Sequence, residues 1–180
     1  MRIISGTARG RKLKEPDGLK IRPTTDRVKE ALFNVIQFDI PGRRVLDLFA
    51  GSGQLGIECL SRGAASCDFV DAAPIAAELV RENLKRTGLT GGKVYQRDAI
   101  SFLRGSARYD LVLLDPPYEF DQLDDIFQTI VQIDILNKNG IIVCETSSDR
   151  ILPQLEPPYA PVREYRYGKV KLSLFTRQAD

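Results

Sequence analysis

The chain has no histidine in 180 residues. That removes the commonest general base and the usual Ser-His and Cys-His nucleophile systems. Cys59, Cys67 and Cys144 are odd in number and widely spaced, with no Cys-x-x-Cys. A zinc site and a disulfide framework are therefore excluded, and buried reduced thiols are expected. The longest apolar run is far shorter than a membrane span, and the stretch from Met1 to Ser5 lacks the apolar core of a signal peptide. The expectation is a cytoplasmic protein with no metal and no membrane partner. Repeats and low-complexity segments are missing too, so the length fits a single α/β core.

What is present centres on two stretches. Val45 to Gly56 reads as a short apolar strand, a glycine-rich turn (Phe49-Ala50-Gly51-Ser52-Gly53) and a helix. Gly51 and Gly53 allow positive φ and close approach of a ligand to the backbone, and the helix adds its N-terminal dipole. Gly51-x-Gly53-x-x-Gly56 fits a dinucleotide fingerprint, with Asp71 twenty residues on for a ribose. The same loop, preceded by Asp47, equally resembles that of Rossmann-like methyltransferases that use S-adenosylmethionine.

The second stretch, Leu111 to Tyr118, ends in Asp115-Pro116-Pro117-Tyr118. The prolines stop the strand and remove two N–H donors, leaving a carboxylate beside a fixed carbonyl. Two adjacent acceptors suit the two hydrogens of an exocyclic amine, and the aromatic ring can stack on a base. This resembles the D/N-P-P-Y motif of methyltransferases acting on nucleic-acid base amines, and a dehydrogenase has no use for it.

Charge is uneven. Residues 1–30 carry +5 and the remainder −3, a basic arm on a mildly acidic body. Such an arm fits a polyanion partner, although a solvated terminus would look the same. Short strand-like stretches at residues 2–5 and 11–14 predict a basic hairpin. Thr25 or Asp26 can cap a helix whose Val28, Leu32, Val35 and Ile36 share one face. Arg22 lacks so obvious a structural role and is a candidate RNA or cofactor contact.

Further strands are expected at 67–71, 93–96, 109–114 and 140–145, then a hairpin from 162–167 and 170–177. Helices are expected from Gln54 to about Arg62, from about Pro74 to Lys85 or Arg86 with Ile75, Leu79 and Leu84 inward, and from Asp121 to Leu136. Strands alternating with helices predict a mainly parallel sheet wound on both faces, closed by an antiparallel hairpin. Asp47, Asp71, Asp98 and Asp115 all fall at strand ends, where such sheets bind ligands. Asp71 is placed for ribose hydroxyls and Asp98-Ala99 for an adenine amine, although Asp98 could simply cap a helix.

The chain resembles the RsmD family over nearly its whole length. The likeness rests on Ile4-Ser5-Gly6 with Gly10-Arg11-Lys12-Leu13, on Arg22-Pro23-Thr24 through Asn34, on Asp47 to Gly53, and on Leu55 to Glu58. It continues through Ser61 to Ala64, Asp115 to Tyr118 and Tyr167-Gly168. Asp71 departs from it, since relatives commonly carry glutamate there.

The resemblance implies a Rossmann-like, class I fold with a seven-stranded sheet, in which residues 1–25 form an RNA-binding extension and residues 26–180 the methyltransferase domain. It implies methyl transfer from S-adenosylmethionine to the N2 amine of a guanine in 16S small-subunit ribosomal RNA, nucleotide 966, as naked RNA or in the assembled subunit. Asp47, Phe49, Ala50, Gly51, Ser52, Gly53, Asp71, Asp98 and Ala99 would hold the cofactor. Asp115, Pro116, Pro117 and Tyr118 would act on the base, and Arg9, Arg11, Lys12, Arg22 and Thr25 would contact RNA. The alternatives are an adenine-N6 methyltransferase and an NAD(P)-dependent oxidoreductase. The latter could use Tyr165 and Lys169 only if both lay on one helix.

Overall fold

In the computed structural model, residues 1–17, 25–105 and 107–179 are described; Arg22 lies outside them. An N-terminal arm closes on itself through an Arg2–Lys12 antiparallel bridge and the Ile3 N–H to Arg11 carbonyl bond of 3.0 Å. There follow α1 (Asp26–Ile36), a 3-10 turn (Gln37–Asp39), β1 (Arg44–Leu48), α2 (Gln54–Ser61), β2 (Ser66–Asp71) and α3 (Pro74–Thr87). Then come β3 (Gly92–Gln96), α4 (Ala99–Arg104), β4 (Tyr109–Leu114), α5 (Leu123–Ile133), β5 (Leu136–Ser147), β6 (Tyr159–Tyr167) and β7 (Val170–Arg177).

The seven strands lie in the order β3-β2-β1-β4-β5-β7-β6. β1 to β5 run parallel, while β7 is antiparallel to both neighbours. The expected mixed sheet with its terminal hairpin is present. Strand order reverses between β1 and β4, and Leu48 stands opposite Leu114. The glycine loop and Asp115-Pro116-Pro117 therefore leave the sheet side by side, at the switch point.

The apolar runs of β1 and β4 follow from burial on both faces. Val45, Leu111 and Leu113 join one core layer with Leu32, Phe33, Ile36, Ile57 and Val80. Leu46, Leu48, Val112 and Leu114 join the other with Phe127 and Ile130. The arm packs into the first layer through Ile3, Ala8 and Leu13. All three cysteines are buried and unbridged, as expected. Among the described residues, no helix is long and apolar enough to cross a membrane.

Three local expectations are corrected. Ile75 is 53% exposed rather than inward, because the buried stripe of α3 runs through Ala76, Val80 and Asn83 and Ile75 sits off it. The helix expected to reach Leu136 stops at Ile133, because Asp134 turns left-handed at φ 50°. Its carboxylate is gripped by Arg177 and Arg108 and accepts from the Tyr159 hydroxyl, and Leu136 opens β5. The third is α4, for which capping by Asp98 is the only sequence signal, since six residues are too short to show a helical period.

Candidate active site

The glycine loop is held by acids beneath and beside it. Asp47 is 1% exposed, and its carboxylate accepts the Gly56 N–H at 2.9 Å. Burial, with Asp71 nearby adding repulsion, raises its pKa to about 8 against the Gly56 bond. Gly53 adopts φ 80° with Val80 methyls packed where a Cβ would lie, and a Cβ on Gly56 would stand 2.4 Å from the Phe69 ring. These two glycines let α2 lie close on the sheet. Phe49, a non-glycine residue at φ 67°, carries strain at this turn and packs edge-on to Phe120 at 4.9 Å.

Asp71 bridges the loop to the next helix. One carboxylate oxygen accepts the Gly51 N–H and the other the Ala73 N–H, both at 2.9 Å. Ala50 and Gly53 spend their N–H groups on the Val70 and Ala50 carbonyls. The loop's donors are thus largely turned inward; in the first turn of α2 the Gly56 N–H goes to Asp47, which leaves those of Gln54 and Leu55 at the helix start. Asp98 caps α4 by accepting the Ser101 N–H at 3.0 Å, and Ala99 beside it is buried.

Across the switch point, Pro116 is buried and Tyr118 is 37% exposed. The Pro117 carbonyl accepts the Phe120 N–H at 2.9 Å, which curls the motif back toward α5. A pocket is lined here by Pro116, Pro117, Tyr118, Glu145, Thr146 and Arg150, among others. A larger concavity than this one lies elsewhere, lined by Arg2, Lys12, Leu13 and Asp26, among others.

Residues 1–176 match the family model described as conserved hypothetical protein 95. The ribosomal RNA small subunit methyltransferase D of Escherichia coli is 34% identical over 181 residues, covering 100% of this chain and 91% of the relative. The chain belongs to the RsmD family. YlbH of Bacillus subtilis, provisionally named an rRNA methyltransferase, is 40% identical over 99% of this chain and 100% of its own. The solved structure of E. coli yhhF, provisionally called a methyltransferase, superposes with a TM-score of 0.90 at 33% identity, covering 100% and 99% of the two chains.

Within this RsmD-family site, the sequence candidates separate. Asp47, Gly51, Gly53 and Asp71 converge on one hydrogen-bonded loop. Thr25 caps α1, its hydroxyl accepting the Val28 N–H at 3.3 Å. Arg9 and Lys12 are exposed on the arm, whereas Arg11 donates to the Thr87 carbonyl.

Other residues escaped the sequence reading. Asn83, fully buried, donates to the Ser52 carbonyl and trades both bonds with the Lys14 backbone, joining arm to loop. Lys29 and Glu58, both fully buried, pair at 3.1 Å, and Glu58 also accepts the Ile4 and Ser5 N–H groups. Gln54 buries an Oε1 with no hydrogen-bond partner at the start of α2. A polar residue on an apolar helix face was the available signal for Lys29 and Glu58; no local pattern marks Asn83.

Proposed function

We propose that the protein transfers a methyl group from S-adenosylmethionine to the N2 amine of a guanine in small-subunit ribosomal RNA, at nucleotide 966 as the family resemblance implies. One observation carries this reading: Asp115-Pro116-Pro117-Tyr118 leaves the sheet level with the glycine loop, across the switch point. The names of the E. coli and Haemophilus influenzae relatives, both ribosomal RNA small subunit methyltransferase D, support the ribosomal substrate.

The residues present fit the cofactor. Asp71, Asp98 and Asp115 put carboxylates at three strand ends, with the buried Asp47 at a fourth, a setting that favours a cationic ligand with ribose hydroxyls and opposes a diphosphate. The start of α2, where Asp47 takes the Gly56 N–H and the Gln54 and Leu55 donors remain, suits a carboxylate tail. Asp47 and the stretch Phe49 to Gly53 hold the amino-acid end, Asp71 the ribose, and Asp98 with Ala99 the adenine. S-adenosylmethionine supplies an electrophilic methyl on a sulfonium.

Asp115 and the Pro116 carbonyl accept the two amine hydrogens, and Pro117 fixes that carbonyl. Tyr118 stacks on a guanine splayed from the RNA, since a stacked base is out of reach. Held this way, the nitrogen lone pair turns from the ring toward the methyl, and Asp115 takes the released proton. Orientation of this kind contributes on the order of 7–11 kcal/mol. Residues 1–25 serve as the RNA-binding extension, with Arg9, Arg11, Lys12, Arg22 and Thr25 at the RNA, and residues 26–180 as the methyltransferase domain.

The oxidoreductase alternative loses its tyrosine–lysine pair: Tyr165 lies on β6 and Lys169 in the turn after it, not on one helix. The test uses tritium-labelled S-adenosylmethionine with small subunits from a strain lacking the enzyme. Label in N2-methylguanine supports the reading, label in N6-methyladenine replaces the substrate, and no label overturns it.

A further inference from the structure

We propose that the β6–β7 turn is a second RNA-contact surface, separate from the N-terminal arm, gripping phosphates beside the target base. The inference rests on the reading above. Its starting point is strand register. Leu114, the last residue of β4, stands opposite Cys144, yet β5 continues to Ser147, which pairs with Val170 of β7. β5 therefore runs three residues past the level of Leu114, about 10 Å at strand spacing, and the turn lies beyond Asp115. It adjoins, through Ser148, the β5 side of the pocket that Pro116, Tyr118, Ser147 and Arg150 line.

The turn is basic. Of the cations between Arg163 and Lys171, Arg166 and Lys169 are exposed at the turn, whereas Lys171 is buried and pairs with Glu164 at 3.4 Å. The Ser148 N–H donates to the Lys169 carbonyl at 2.9 Å, and Arg166 donates to the Ser148 carbonyl at 2.7 Å, so turn and pocket rim are one piece. The Arg166 side chain is 60% exposed, and its contact with Glu164, at 3.5 Å, is a loose surface pair that salt screens. The Arg163 guanidinium lies over the Tyr165 ring at 5.2 Å. Tyr165 and Tyr167 pack against the first core layer, so it is the exposed Arg166 and Lys169, tied to the pocket rim through Ser148, that offer charge to the phosphates of a single-stranded backbone. Charges on an edge strand also discourage sheet-to-sheet pairing. That role alone predicts no change in RNA affinity when they are neutralised.

The test is the double variant R166Q/K169Q, which leaves the pocket residue Arg150 in place. Binding of protein-free small-subunit rRNA, unmethylated at the target, is measured across a salt series, with S-adenosylhomocysteine affinity measured alongside. The expected result is RNA binding several-fold weaker, a plot of log affinity against log salt shallower by roughly 1–2, and unchanged S-adenosylhomocysteine affinity. An unchanged slope, or a parallel fall in S-adenosylhomocysteine affinity, overturns the proposal while leaving the enzyme reading intact. If the wild-type chain itself shows no salt-dependent RNA binding, the RNA substrate and this surface fall together.

Discussion

Asp47 is sealed from water at 1% exposure, and its chemistry follows from that. Its folded-state pKa of about 8 stands above the ordinary carboxylate value, so between about 4 and 8 the folded chain keeps a proton that the unfolded chain has released. The contribution of this group to stability therefore falls as pH rises through that window and levels off above it. Asp47→Asn preserves an acceptor for the Gly56 N–H and removes the titration. Its melting temperature should decline less from pH 5 to 8 than that of the wild type; equal declines in calorimetry would refute the assignment. A cation bound beside Asp47 favours its ionised form, so cofactor affinity should rise toward pH 8. Asp115, across the switch point, has the opposite proposed duty of meeting the substrate. Asp115→Ala should lower turnover by about 100-fold or more while S-adenosylhomocysteine still binds, as calorimetry would show. Full turnover in that variant would end the proposed role.

At the scale of elements, α2 is the piece on which the site depends, because its N-terminus follows the loop and its body lies close on β2. Gly56→Ala places a Cβ 2.4 Å from the Phe69 ring, so helix or ring must shift. We expect a loss of about 1–3 kcal/mol in denaturant unfolding together with weaker S-adenosylhomocysteine binding. Loss of stability with full affinity would show that the loop tolerates movement of its helix. Elements with a strong local signature were legible in advance: β1 and β4 by their apolar runs, α2 by the loop before it, β6 and β7 by alternation about Gly168-Lys169. Two features were not. α4 lacks the length for a periodic pattern, and the end of α5 is decided by Arg177 and Arg108, which reach Asp134 from distant positions in the chain.

Over the whole molecule, the arm and the body share one core and one buried ion cluster. Lys29 bonds the Arg2 carbonyl and pairs with Glu58, which also receives Arg62 and two arm N–H groups. Lys29→Met leaves a buried carboxylate short of a partner. It should cost about 3 kcal/mol in denaturant unfolding; a change within experimental error would mean that Arg62 and the arm amides suffice. Neutralising Arg9 and Lys12, exposed on the same arm, should weaken RNA binding and flatten its salt dependence without altering stability. Unchanged binding would leave the arm as a solvated hairpin.

The sequence by itself determined the class of fold, the order of its elements, and the two strand ends where chemistry belongs. Those are properties of local pattern: hydrophobic period, glycine conformational freedom and the stop imposed by consecutive prolines. It also offered capping as an alternative to cofactor binding for Asp98 and gave Thr25 or Asp26 as the α1 cap; Asp98 and Thr25 do cap, since capping is settled within a few residues. Only the tertiary structure decided that Asp47 is sealed beneath the loop, that Asp71 clamps Gly51, that Asn83 ties arm to loop, and that the β6–β7 turn lies beyond Asp115. Each depends on groups far apart in sequence meeting in a desolvated or closely packed place, where charge and hydrogen bonding are set by neighbours that no local pattern contains.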